Sequence, residues 1–257
     1  MAIRIGPAGT GGNSIDKLKE LKELGLDAVE MEFVRGVVMS NELAGRIKEE
    51  NKKHNIVLSI HAPYYLNLAS EDKVKIEASK KRILDSCERG HHMGARCIVF
   101  HAAFYGKLSP EECFQQVKNE MLEMQEVIRK NNWEVILCPE TTGKRSQFGD
   151  LDELMRMMEE TGCGICIDFA HIEARHNKEP DYNALAKKIK AIKNLHSHYS
   201  GISYTEKGER RHLPVDKVKA KKLLSALKAE DIDITMIIES PDTWGDAVMM
   251  KRLERSL

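Results

Sequence analysis

Residues 57–101 read VLSIHAPYYLNLASEDKVKIEASKKRILDSCERGHHMGARCIVFH. Two short apolar runs bracket this stretch, Val57–His61 and Cys97–His101. Between them Glu71–His92 is rich in charge, with apolar residues at Val74, Ile76, Ile83 and Leu84, the spacing of one helix face. A strand, a helix-length crossover and a second strand form a βαβ unit. Its strands lie parallel and its crossover is right-handed.

The pattern continues outward in both directions. Six more apolar runs have strand length: Ile3–Ile5, Ala28–Phe33, Val135–Pro139, Gly164–Asp168, Leu195–His198 and Thr235–Glu239. Helical patterns fill the gaps at Ser14–Leu24, Asp150–Glu160, Asp181–Ile192, Asp216–Leu227 and Trp244–Leu257. Ser109-Pro110-Glu111-Glu112 starts another helix, with an N-cap serine, proline at the first position and acids in the first turn. Eight βα alternations in 257 residues average about 32 residues each. That repeat predicts an α/β chain closed into a single (β/α)8 TIM barrel. No Pro/Gly/Ser-rich linker interrupts it, so residues 1–257 read as one domain.

Composition narrows the function. Lys+Arg and Asp+Glu both number 40, so no strongly basic tail exists to hold nucleic acid. Any such binding needs a local basic face or bound cations. No apolar run is long enough for a membrane span, and the start lacks the apolar segment of a signal peptide. Six scattered cysteines in a chain of this length point to a reducing cytoplasm. Cys163 and Cys166 form a CxxC, the spacing of a redox pair or half a metal site. With no second CxxC, and with Ile165 and Ile167 alongside, the spacing reads as a turn into a buried strand.

The chemistry lies at the strand ends. His61, His101, Glu140, Asp168, His196 and Glu239 each close or follow an apolar run. One such residue means little, because a lone strand-end histidine is as often structural. Six in register across consecutive βα units converge on the C-terminal mouth, where barrel active sites form. A mixed imidazole and carboxylate set suits Zn, Mn or Fe better than Ca or Mg, and so many donors imply more than one ion.

At these residues the sequence resembles the endonuclease IV type of apurinic/apyrimidinic (AP) endonuclease. His61-Ala62-Pro63-Tyr64 through Asn67-Leu68 is similar to that family's HAPY-x-x-NL segment. Met93-Gly94-Ala95 leading to His101 resembles its LGA turn and next ligand. Glu140-Thr141-Thr142-Gly143 resembles E-N-T-A-G, Cys166-Ile167-Asp168-Phe169-Ala170-His171 resembles C-x-D-T-x-H, and Glu239-Ser240-Pro241 resembles the L-E-T-P ending. The resemblance implies a monomeric, zinc-dependent enzyme, with Mn2+ as an alternative ion, that cuts damaged double-stranded DNA 5′ to abasic sites. It implies one ion held by His61, His101 and Glu140. A second falls to Glu140, Asp168, His196 and Glu239, and a third in part to His171 and His212. Glu140 and Glu239 carry the catalytic role around a metal-bridging water.

Three departures stand out. The family's third-site pattern is D-x-H, whereas Arg210 precedes His212 by two, with Glu209 one further back. The third site is therefore weak, absent or completed by Glu209, and Arg210 or Arg211 can instead serve the substrate. His198 stands two residues after His196, where the family has asparagine; it reads as a ligand, a phosphate partner or a neighbour. The first loop, Gly6–Gly12, lacks the family's histidine but keeps glycines whose amides can approach a phosphate. Tyr64 matches a residue that wedges into DNA at a lesion, or else it packs the barrel mouth. Arg35, Lys107, Lys144, Arg145, Lys207, Arg210 and Arg211 are candidate phosphate contacts or plain surface charges. The runner-up function is a divalent-metal sugar isomerase or epimerase on the same barrel. A barrel keeping metal only for structure is a further alternative.

Overall fold

The computed structural model describes residues 2–257. Along them run twelve strands: β1 (Ile3–Pro7), β2 (Ala28–Glu32), β3 (Val57–His61), β4 (Cys97–Phe100), β5 (Ala103–Phe104), β6 (Ile136–Pro139), β7 (Gln147–Phe148), β8 (Cys166–Asp168), β9 (Leu195–Tyr199), β10 (Gly201–Thr205), β11 (Gly208–Leu213) and β12 (Ile234–Ile238). Eight of them form the barrel, all parallel. One arc runs β2-β3-β4-β6 and the other β8-β9-β12-β1. Single bridges, Glu140 to Cys166 and Ala8 to Glu30, join the arcs into a closed ring. The expected TIM barrel is the observed one, and the eight expected strands match within about two residues, the ordinary uncertainty of a strand end. His101 and Glu239 fall just past their strands.

Gly6 makes one of those closures possible. A Cβ there would lie 1.7 Å from the Ala28 carbonyl oxygen, so only glycine lets β1 approach β2.

Among the described residues nine helices, α1 (Ser14–Glu23), α2 (Asn41–Asn51), α3 (Lys73–Met93), α4 (Pro110–Lys130), α5 (Leu151–Thr161), α6 (Phe169–His176), α7 (Tyr182–Ile189), α8 (Lys217–Ala229) and α9 (Thr243–Arg255), surround the strands. Ser109 and Glu112 form the expected reciprocal cap of α4. Two short helices were not legible in the sequence. In α2 only Ala44 and Ile47 are buried, too few to make a clear face. Helix α6 starts immediately at a strand end.

Period-two alternation sorts each strand's side chains. Leu58 and Ile60 of β3, Ile98 and Phe100 of β4 and Ile165 and Ile167 around β8 join the large apolar core under the helices. The opposite faces point into the barrel. There the apolar lining is a small separate cluster of Val99, Cys138 and Cys166. Many other inner positions are polar and buried, among them Glu30, Ser59, His61, Glu140, Asp168, His196 and His198, with Ala28 and Ile237 as apolar exceptions. The barrel interior is therefore prepared for charge.

Additional pairings shape the mouth. Strands β5 and β7, from the loops after β4 and β6, pair antiparallel. Strands β10 and β11 form a hairpin after β9. It docks on the β6 loop, where Glu209 N donates to the Gly143 carbonyl at 3.0 Å. Gly208, at φ +98°, allows this approach, since a Cβ would lie 2.2 Å from that same carbonyl oxygen. The buried Arg175 guanidinium ties the β6 loop from within, donating to the carbonyls of Lys144 at 2.7 Å and Gln147 at 3.0 Å.

Candidate metal centre

Five groups of potential ligands occur among the described residues; two are Cys166, His196 and His198, and Glu30, Glu32 and Glu239, and the other three overlap at the mouth. His61, His101 and Glu140 form the first; Glu140, Asp168, His198 and Glu239 the second; Asp168, His171 and His212 the third. Glu140 is common to the first two and Asp168 to the last two. Glu140 Oε2 lies 2.9 Å from His101 Nε2 and 3.3 Å from His61 Nε2. Its Oε1 lies 3.2 Å from both His171 Nδ1 and His198 Nδ1. His198 Nδ1 is also 3.3 Å from Glu239 Oε1.

One expected ligand changes. The resemblance places His196 in the second group, but it sits a layer deeper, with Nε2 2.9 Å from Glu30 Oε2. Two residues along the same inward face rise about 6.6 Å. That rise carries His198, not His196, to the level of Asp168, with which it is paired in register. His198 is 0% exposed, so direct contact with a substrate, one of its expected roles, is also ruled out.

Of the three readings of the third site, the structure favours completion by Glu209, which a β-bulge brings onto the face of His212. In the hairpin Ser203 pairs with Arg211 and Tyr204 with Glu209, leaving Arg210 as the extra residue of a β-bulge. The bulge resets the alternation, so Glu209 and His212 share a face although three positions apart. Glu209 carboxylate oxygens lie 3.5 Å from His171 Nε2 and 3.9 Å from His212 Nε2. Arg210 and Arg211 are exposed, and the residues lining the mouth cleft do not include them. That cleft, about 340 Å³, is lined by His61, Tyr64, His101, Lys144, Gln147, His171, Glu209, His212 and Glu239. Of the expected phosphate contacts only Lys144 lines it. Arg145 instead donates to the Arg175 carbonyl at 2.9 Å.

Two further carboxylates stand here that the strand-end pattern did not include: Glu30, inside β2, and Glu32, which closes it. Both come close to Glu239. At the rim Tyr64 is 48% exposed; its ring lies 5.0 Å from that of His61, and its hydroxyl donates to Glu32 at 3.4 Å. Tyr65 is 72% exposed. The glycine-rich first loop is partly tied down, Gly9 donating to the Glu30 carbonyl and accepting from the Trp244 indole.

Hydrogen bonds set the histidine tautomers. His61, His171 and His212 each turn Nδ1 to a backbone carbonyl, of Ala62 at 2.8 Å, Thr141 at 3.0 Å and Glu239 at 2.8 Å. A carbonyl only accepts, so each Nδ1 carries the proton and each Nε2 is the free donor atom for a metal. The Nε2 atoms of His171 and His212 face each other at 3.4 Å. Two lone pairs at that distance repel unless a cation or proton lies between them. Two nitrogens held about 2.05 Å from one tetrahedral zinc are about 3.4 Å apart. Asp168 spends Oδ1 on the N-terminus of α6, donated by His171 N at 2.8 Å, while buried Oδ2 has no hydrogen-bond partner. Donor types, tautomers and the orphaned oxygen all fit divalent ions.

Electrostatics agree. Burial opposes charge on Glu140, but His101, His198 and His171 outweigh it and hold its carboxyl well below the ordinary range. Burial likewise opposes a charged His61, yet its bond to Glu140 and the nearby Glu32 push its pKa up to about 10. Glu32, desolvated and beside Glu30 and Glu239, is pushed up to about 8. His61 and Glu32 thus hold their protons more tightly than free groups do.

The sequence profile of the xylose isomerase-like TIM barrel family matches residues 18–254. The chain belongs to that family. An uncharacterized protein of Methanocaldococcus jannaschii is 37% identical over 98% of this chain and 97% of its own length. A probable endonuclease 4 of Mycoplasma pneumoniae is 29% identical over 55% of this chain, which spans 50% of that relative. Among solved structures, endonuclease IV from Thermus thermophilus superposes with a TM-score of 0.75 at 19% identity, over 98% of each chain. A D-tagatose 3-epimerase-like protein superposes equally well, at 0.75 and 18% identity over 99% of this chain and 96% of its own. This xylose isomerase-like barrel thus has the fold of both nucleases and sugar epimerases, and the distinction rests on its mouth.

Proposed function

We propose that the protein is a metal-dependent endodeoxyribonuclease that hydrolyses the phosphodiester 5′ to abasic sites in duplex DNA. The observation that carries this is the set of three overlapping ligand groups sharing Glu140 and Asp168. A sugar isomerase needs fewer histidines at the mouth. His61, His101 and Glu140 would hold one ion; Glu140, Asp168, His198 and Glu239 a second; Asp168, His171, His212 and Glu209 a third. Zinc suits this imidazole and carboxylate set best, with manganese as an alternative. Bound ions would supply a water of lowered pKa and neutralise phosphate charge.

The chain's own residues supply the rest. Lys144 offers a cation to a phosphate in the cleft. Tyr64 and Tyr65 present half-free rings at the rim, where an aromatic side chain can enter the stack beside a missing base. The buried carboxylates fix the orientation of the imidazoles before substrate arrives.

A sugar isomerase or epimerase is the second reading. A cleft of about 340 Å³ has room for a monosaccharide, and Glu140 and Glu239 in one ligand group resemble an acid–base pair. One assay separates the two. A duplex bearing a single tetrahydrofuran analogue should be nicked 5′ to the lesion with zinc or manganese, and not after chelation or in Glu140→Ala. No nicking, with turnover of a ketose, selects the epimerase.

A further inference from the structure

Glu30 is a charged residue in the barrel interior, fully buried on the inward face of β2. An uncompensated carboxylate there is heavily penalised. Two imidazoles compensate it. His196 Nε2 lies 2.9 Å from Oε2, and His198 Nε2 lies 2.8 Å from Oε1. Oε1 and His198 Nε2 are not aligned as a hydrogen bond, and neither has any other bonding partner among the described residues. His198 directs its other nitrogen, Nδ1, to Glu140 and Glu239.

His198 therefore differs from the other mouth histidines. His61, His171 and His212 each fix their tautomer on a backbone carbonyl. Around His198 the acceptors on offer are the Glu30 carboxylate, 2.8 Å from Nε2, and the Cys166 sulfur of the same ligand group. We infer that Glu30 is the positioning residue of the second ion: its carboxylate holds the proton of His198 on Nε2 by accepting from it, leaving the Nδ1 lone pair for the metal, and His196 anchors the carboxylate from beneath. A carboxylate against the far nitrogen also makes the ligating nitrogen more basic. Glu30 acts through His198 and lies outside the ligand group of the second ion. This rests on the metal reading above.

Metal-depleted wild type and variants would be titrated with zinc against a chromophoric chelator, counting ions and their affinities. Glu30→Gln keeps the shape but loses the anion. It should weaken one ion by about 10–100-fold and leave the others in place. Glu30→Asp should recover part of the loss, which a merely destabilised barrel would not do selectively. Cys166→Ser, beside the same histidines, should change nothing. If Glu30→Gln does not fold, His196→Gln should weaken the same single ion to a smaller degree. Unchanged affinities in these variants overturn the inference, as does loss of an ion in Cys166→Ser, which would assign the cluster to a thiolate site. Wild type that takes up no zinc refutes the metal reading itself.

Discussion

Glu140 shows how much one side chain can organise. Its two oxygens face four imidazoles, those of His61, His101, His171 and His198, and it belongs to two ligand groups. His171 belongs to one. Glu140→Ala should therefore release two ions where His171→Ala releases one, counted by elemental analysis after gel filtration. Equal losses would mean that Glu140 does not bridge. The His171–His212 contact narrows the chemistry further, because their tautomers leave two lone pairs facing across 3.4 Å. At this scale the residue types were readable in the sequence. Which of His196 and His198 reaches the mouth was not, since both share an inward face.

The β10–β11 hairpin is the element on which the third group depends. Its bulge absorbs Arg210, and that extra residue turns a three-residue spacing into a shared face for Glu209 and His212. Arg210→Ala should keep the full complement of ions, because its side chain points to solvent. Deleting Arg210 should keep it too, since a regular ladder would still face Glu209 inward. Glu209→Ala should release the third ion. Loss of that ion on deletion, measured by the same zinc count, would show that the bulge itself shapes the site. Elsewhere the elements were legible wherever periodicity and caps agreed, as at Ser109–Glu112. They were not legible in α2, where two buried residues make too faint a stripe.

Over the whole molecule, the interior charge couples folding to pH. In the metal-free protein His61 is raised from its ordinary 6.5 to about 10, so its contribution is full below about 6.5 and is lost as pH rises towards 10. Glu32, raised from 4.5 to about 8, acts in the same direction: its burial is tolerated while neutral and penalised once ionised. The unfolding midpoint of chelator-treated protein should therefore fall between about pH 6.5 and 9.5, and added zinc should stabilise more at the higher pH, where fewer protons compete for its ligands. A flat or rising midpoint would contradict the assigned proton positions. The barrel itself followed from sequence alone, because apolar runs separated by helix-length amphipathic stretches allow few other parallel topologies. So did the convergence of His61, His101, Glu140, Asp168 and Glu239, because strand ends of a closed barrel share one mouth. Tertiary structure alone decided the depth of His196 and His198, the bulge that recruits Glu209, and the burial of Glu30 between two histidines. Each depends on register and on contacts between strands far apart in the chain, and spacing along one strand carries no record of what lies across the barrel.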